Sequence, residues 1–211
     1  MVVRSHTPRR CAGDEGAALV EAAFVTPVLL FVLLGILESG LLFRTYMTLS
    51  AATQDGARTA AILGNDAGTD FEIIQDVQKA TAAIPQSQIR NLVVFKATAT
   101  PPSASVPPAT CTNALARIQV AGANPCNTYV PSSDWNANPI LDKPKYNCTA
   151  TGYSKGYCPD TRPVAITPAP GPDYVGVYIS VQHQYVSKLF GTTQLLSETT
   201  ITRLEPQKIS S

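Results

Sequence analysis

The strongest constraint on this chain is a long apolar segment near its amino terminus, AALVEAAFVTPVLLFVLLGILESGLLF, which runs from Ala17 to Phe43. As an α-helix that rises about 1.5 Å per residue it would be roughly 40 Å long, and a bilayer core of about 30 Å needs about 20 mostly apolar residues. Its two carboxylates, Glu21 and Glu38, lie near its ends and leave the stretch between them without charge. Pro27 is expected to bend or loosen the helix, which membrane helices tolerate. The segment therefore predicts a single membrane-spanning helix.

The sequence before the apolar segment indicates its orientation. Residues 1–16 form a leader that carries Arg4, Arg9 and Arg10, and basic residues favour the cytoplasmic side of a membrane. We therefore expect the amino terminus to lie in the cytoplasm and the carboxyl-terminal part to lie outside, anchored in the cytoplasmic (inner) membrane. A cleaved secretory signal peptide is the alternative, but the apolar run is too long for a usual signal core and no A-x-A-like site follows it.

The helical pattern continues beyond Phe43. The following residues, RTYMTLSAATQDGARTAAIL, contain no proline and place small or apolar side chains at spacings of three and four. One helix is thus predicted from near Ala17 to near Leu63, and Gly64 and Asn65 provide its stop signal. In this division of the chain, residues 17–65 are the membrane helix with its extracytoplasmic extension.

The remaining residues, 66–211, predict a small α+β head. Thr69 and Glu72 fit a capping box for a second helix that Pro85 ends. Strands are expected at IRNLVVFKAT, at DYVGVYISVQHQYV and, more weakly, at TQLLSETTITRLE, because these segments are rich in β-branched residues or alternate in polarity. Between them, at about 101–172, lies a Pro- and Cys-rich insertion with one short strand. The fold class is an antiparallel sheet with one packed helix and disulfide-bonded loops.

Four cysteines follow the membrane segment and one, Cys11, precedes it. An even set in a loop-rich region indicates two disulfides and an oxidising, extracytoplasmic compartment. Three pairings are possible; neighbouring pairs are favoured because they close short loops, although spacing alone does not decide. A zinc site is the weaker alternative, since the set contains no CxxC pair. The four candidates are Cys111, Cys126, Cys148 and Cys158.

No pattern in the sequence predicts enzymatic chemistry, a metal site or a cofactor. The net charge of +1 gives no basic field for nucleic acid. Asp134 begins a D-x-N-x-N pattern, but Pro139 replaces the glycine that a calcium loop requires, so a turn is expected. His183 lies on a predicted strand without a nucleophile motif around it, so a packed or edge histidine is expected. Phosphate-binding glycine loops, GxSxG and HExxH are all absent from the sequence.

The hexapeptide GAALVE, Gly16 to Glu21, resembles the processing site of prepilins, in which a peptidase cuts after the glycine. The likeness extends to about Ala61 and is to the TadE-like pseudopilins of tight-adherence (Flp-type) pilus assembly systems. Besides Gly16, Ala17 and Glu21, it rests on Pro27, on Glu38 and on the triplet from Gly56 to Arg58. Ala22 departs from the pattern, since family members often carry an aromatic residue there. A simpler interpretation is that Gly16 is incidental and that Glu21 reaches the membrane interface.

This resemblance implies a membrane-anchored pseudopilin that acts structurally in the assembly of a tight-adherence pilus or a related secretion machinery. It implies other pilin-like subunits, the assembly platform and a prepilin peptidase as partners, besides the lipid bilayer, and no nucleic acid. Small residues along the helix would allow close approach of neighbouring helices. These are Gly35, Gly40, Ala51, Ala52 and Gly56. The alternative function is an unprocessed single-pass anchor that presents an extracellular binding domain.

Overall fold

The computed structural model describes residues 14–97, 106–122, 124–148, 156–167 and 171–206. These residues form a long helix, shorter helices and five strands, which confirms the α+β class. The elements are α1 (Asp14–Leu63), α2 (Thr69–Ala80), β1 (Ile89–Ala97), α3 (Ala109–Thr112), β2 (Ile118–Val120), β3 (Cys126–Tyr129), α4 (Pro131–Asp134), β4 (Tyr174–Gln184) and β5 (Thr193–Arg203). The arginines of the leader and Cys11 lie outside the described residues.

Helix α1 continues through Pro27 and ends where the sequence predicts, at Leu63. Gly64 takes a positive φ of 55°, and its N–H donates to the carbonyl oxygen of Ala60 at 3.0 Å, which closes the last turn. The chain divides into two compact units, 1–41 and 42–211. In the first unit, the large apolar side chains of the described residues up to Leu37 are exposed. Of the residues that the structure describes, only α1 forms a helix long and apolar enough to cross a membrane.

The second unit is built on one antiparallel sheet with strand order β2-β3-β1-β4-β5, as predicted for a small antiparallel sheet. Strands β4 and β5 form a long hairpin that pairs from Tyr174 and Arg203 to Gln184 and Thr193. Strand β5 lies at one edge of this sheet and β2 at the other. Strand β3 was not predicted, because its four residues, CNTY, lie among prolines and asparagines without a repeating pattern.

The core forms where the outer half of α1 and helix α2 pack on one face of the sheet. Leu49 and Ala60 of α1, Val77 of α2 and Val177 of β4 are all fully buried in one apolar cluster. Gly56 permits α1 to lie close to both neighbours: a methyl group there would lie 2.9 Å from Val77 Cγ2 and 3.3 Å from Val177 Cγ1. The residues of α1 beyond Leu41 therefore belong to the same compact unit as the head.

The predicted capping box at the start of α2 is wrong. Gly68 precedes the helix in the left-handed conformation, with φ at 82°, and Thr69 is the first helical residue. The Thr69 hydroxyl donates to the carbonyl oxygen of Asp66 at 2.7 Å, and Glu72 pairs with Lys143 at 2.5 Å. A turn that only glycine adopts readily thus moves the helix start by one residue relative to the threonine. The helix ends at Ala80, well before Pro85.

Candidate functional site

The first candidate site is the amino-terminal turn of α1, where the sequence suggests processing. Gly16, Ala17 and Glu21 lie within this helix and are exposed. A methyl group at Gly16 would meet nothing within 4 Å. Because α1 begins at Asp14, the bond between Gly16 and Ala17 lies in the first turn, whose N–H groups have no carbonyl partner inside the helix. This bond is therefore at the end of the helix that unwinds most easily.

The residues assigned to helix packing fall into two groups. Gly40 and Ala51 are exposed, Gly35 is half-buried, and a methyl group at Gly40 would meet nothing within 4 Å. Ala52 and Gly56 are instead buried in the head's own core, so the close approach that they permit is intramolecular. Among the other assigned residues, Pro27 and Arg58 are exposed, whereas the side chain of Glu38 is only 1% exposed.

The head is held together by a buried ion pair that sequence reasoning missed. Asp70, in the first turn of α2, accepts a charge-assisted bond of 2.6 Å from Arg162 Nη2, and both side chains are fully buried. The Tyr129 hydroxyl and the Asn127 amide, both on β3, donate to the other carboxylate oxygen at 2.7 and 3.0 Å. One carboxylate therefore joins the helix, the sheet and the loop before β4.

Tyr157 completes this cluster. The Arg162 guanidinium lies 4.4 Å from the centre of the Tyr157 ring and donates to the Tyr157 carbonyl oxygen at 3.0 Å. Burial opposes the charge of Arg162, but the Asp70 carboxylate together with Tyr157 and Tyr129 outweighs burial, so the pKa of Arg162 is raised. Burial also raises the pKa of the Tyr157 hydroxyl, which donates to Asp173 at 3.3 Å. The cluster is thus arranged to hold one fixed charge pair and a neutral phenol.

A second buried carboxylate, Asp134, explains why the D-x-N-x-N pattern is a turn. Its oxygens accept bonds from the Tyr146 hydroxyl at 2.9 Å and from the Val130 N–H at 2.8 Å, and it forms an ion pair with Arg117. These donors hydrogen-bond or pair with the carboxylate oxygens, and they fix the conformation of the loop that starts at α4. Within the described part of the chain, no group of three or more His, Cys, Asp or Glu residues could hold a metal ion.

Two disulfides cross-link the insertion, and they are the neighbouring pairs that short loops favour. Cys111 in α3 joins Cys126 at the start of β3, and Cys148 joins Cys158. The first bridge is fully buried beneath the second face of the sheet, beside Val93. These bonds and the buried carboxylates give a proline-rich region a fixed conformation.

The family comparison identifies the helix. The family model described as TadE-like protein matches residues 16–58. Residues 16–58 are thus similar to this family. The matched segment includes nearly all of α1, from the exposed glycine at its first turn to Arg58, and it confirms the resemblance inferred from the sequence. No curated protein and no solved structure matches the chain. The TadE-like match and the apolar helix support a membrane protein related to the tight-adherence (Tad) pilus, held by a single-pass anchor.

Proposed function

We propose that this protein is a TadE-like pseudopilin that acts structurally in assembling a tight-adherence pilus or a related secretion machinery. The observation that carries the proposal is the TadE-like match over residues 16–58, which coincides with a helix whose described apolar surface is exposed before Leu41. Such a surface needs lipid or other helices to cover it. The proposed partners of the protein are other pilin-like subunits and the assembly platform. The proposed role is structural, since TadE-like proteins are generally not enzymes.

The proposed topology puts the amino terminus in the cytoplasm and the head outside the inner membrane. The basic leader supports the first half of this statement. The two disulfides in the head support the second half, because such bonds form and persist in oxidising compartments.

Processing by a prepilin peptidase between Gly16 and Ala17 is part of the proposal. Gly16 supports it because glycine is a poorer helix former than alanine and lies in the first turn of α1, where the backbone N–H groups have no helical partners. Cleavage would leave Glu21 as the fifth residue of the mature chain. A carboxylate at this shallow membrane depth is costly unless it is paired, and the new amino group of a neighbouring subunit offers a positive partner.

The test is to compare Gly16→Ala and Glu21→Ala with a matched control, Asp55→Ala, which removes an exposed carboxylate from α1 at a position outside the assigned residues. Each full-length variant is expressed with the peptidase and the pilus machinery, and its intact mass and its copurification with the machinery are measured. We expect Gly16→Ala to retain the leader, Glu21→Ala to lose copurification, and the control to behave as wild type. If both test variants behave as wild type, the chain is better described as an unprocessed anchor for a binding domain.

A further inference from the structure

The loop between β4 and β5 carries an apolar surface that the proposed function does not use. We define the hairpin tip as residues 185–192, YVSKLFGT. Val186 is 71% exposed, Phe190 is 56% exposed and Leu189 is 43% exposed. The tip also contains Lys188 and no carboxylate. It therefore combines three exposed apolar side chains with one positive charge.

Contacts along α1 show at which end of the head this tip lies. Thr45 contacts His183 Nδ1 at 3.2 Å, next to the tip. Further along the helix, the Thr53 hydroxyl lies 2.9 Å from the Thr200 hydroxyl, and the Ala61 carbonyl accepts from the Glu205 N–H at 3.0 Å. Strand β5 therefore runs beside α1 in the same direction as the helix. The hairpin tip lies at the end of the head where Thr45 lies, two residues after Phe43 in the sequence.

The tip is long enough to reach the level of Phe43 on α1. Thr45 follows Phe43, the last residue of the apolar run, by about 3 Å of helix. The tip extends beyond His183 by about four residues before it turns, and a fully extended chain covers about 3.3 Å per residue, which gives a reach of at most roughly 13 Å. The tip can therefore reach the level of Phe43.

The side chains of α1 at this level have the composition of a membrane interface. Phe43 is 64% exposed and Tyr46 is 43% exposed, and the exposed Arg44 lies between them in the sequence. Aromatic and basic residues gather where hydrocarbon meets head groups, and the long stem of a lysine lets its charge reach water or phosphate from there. The tip repeats this combination with Phe190 and Lys188.

We propose that the hairpin tip inserts into the interfacial layer of the bilayer, with Val186, Leu189 and Phe190 among the upper acyl chains and Lys188 at the phosphates. This inference rests on the proposed membrane-spanning role of α1. The head then touches the membrane at two places, the helix and the tip. Two contacts fix the orientation of the head relative to the membrane surface, which a single helical tether does not.

The single tryptophan of the chain, Trp135, is first replaced by phenylalanine, so that the protein has no tryptophan fluorescence of its own. Phe190→Trp is then introduced as the probe. Ile166→Trp is the matched control, because Ile166 is 68% exposed and lies near Gly171 and Arg203, at the opposite end of the β4–β5 hairpin. Leu30→Trp, within the apolar run, reports whether α1 is in the bilayer. Each full-length protein is reconstituted in vesicles of phosphatidylethanolamine and phosphatidylglycerol that carry bromine high on the acyl chains.

We expect the bromines to quench Phe190→Trp several-fold more than Ile166→Trp, with a blue-shifted emission. A second result is that Leu30→Trp is quenched but Phe190→Trp is quenched no more than Ile166→Trp. In that case α1 lies in the bilayer but the tip does not enter lipid, and the inference fails. A blue shift at position 190 without quenching would mean that another protein surface covers the tip, which also overturns it. If Leu30→Trp is not quenched, the membrane-spanning role itself fails.

A second measurement needs no substitution. The wild-type protein is reconstituted with a lipid that carries a photoactivatable group near the head group, irradiated and digested, and the labelled residues are located by mass spectrometry. Label on residues 186–190 but not near Ile166 supports the inference. Label on the helix alone contradicts it.

Discussion

Removing the cation from the buried Asp70–Arg162 pair should destabilise the head severely. In Arg162→Met the Asp70 carboxylate, fully buried in the native protein, keeps the Tyr129 and Asn127 donors as its hydrogen-bond partners among the described residues. Loss of one partner of a buried pair typically costs about 3–5 kcal/mol, and the surviving donors favour the lower part of that range. Domains of this size are stable by about 5–15 kcal/mol, so the substitution removes a large share of the free energy of unfolding.

The complementary variant, Asp70→Asn, leaves the guanidinium of Arg162 buried against the Tyr157 ring and carbonyl oxygen. We expect a loss of similar size, about 3–5 kcal/mol. The double variant should lose less than the sum of the two single losses by about 2 kcal/mol or more, since no uncompensated charge remains. This comparison separates the electrostatic coupling from the packing change at each position.

The assay is urea unfolding of the full-length protein in detergent micelles, followed by the emission of Trp135. This residue is the only tryptophan and is 8% exposed, so its emission shifts to the red when the head unfolds. Matched measurements on wild type, both single variants and the double variant give the coupling energy. Single losses below about 1 kcal/mol, or strictly additive losses, would refute the assignment of this pair as the centre of the head.

Three further predictions test separate parts of the structure. Gly56→Ala should lower the free energy of unfolding by about 1–2 kcal/mol in the same urea assay, because overpacking outweighs the gain in helix propensity, whereas Gly40→Ala should leave it unchanged. Replacing both Cys111 and Cys126 by alanine should cost about 3 kcal/mol, and a reducing agent should then have a smaller effect on unfolding than in wild type. The raised pKa of Tyr157 implies stability that is complete below its unfolded value of about 10 and is lost as the pH rises above it. Tyr157→Phe should therefore reduce the fall in unfolding free energy measured above that pH, and an unchanged fall would contradict this assignment.

Local sequence patterns were sufficient to predict the elements with strong periodicity. Helix α1 follows from an apolar run and a proline-free amphipathic extension, and β4 follows from alternating valines and isoleucine. The stop at Gly64 also follows from local chemistry, since this glycine takes a positive φ. These features depend on neighbours close in the chain.

Features that depend on distant residues were not predictable in the same way. Asp70 and Arg162 are 92 positions apart, and nothing in a single sequence links a first-turn aspartate to an arginine in a proline-rich loop. Gly56 looked suitable for packing against another subunit, but its side of α1 covers the head's own sheet. At the processing site, the sequence identifies Gly16 and Glu21, and their roles in cleavage and assembly stay predictions.

The most direct test of the proposed function is the intact mass and amino-terminal sequence of the protein recovered from its native membrane, with and without the prepilin peptidase. A mature chain that starts at Ala17 only when the peptidase is present is the predicted result, and it would make Glu21 the residue to test for subunit contacts. A chain that starts at Met1 or Val2 in both cases would contradict processing and would favour a permanently tethered binding domain.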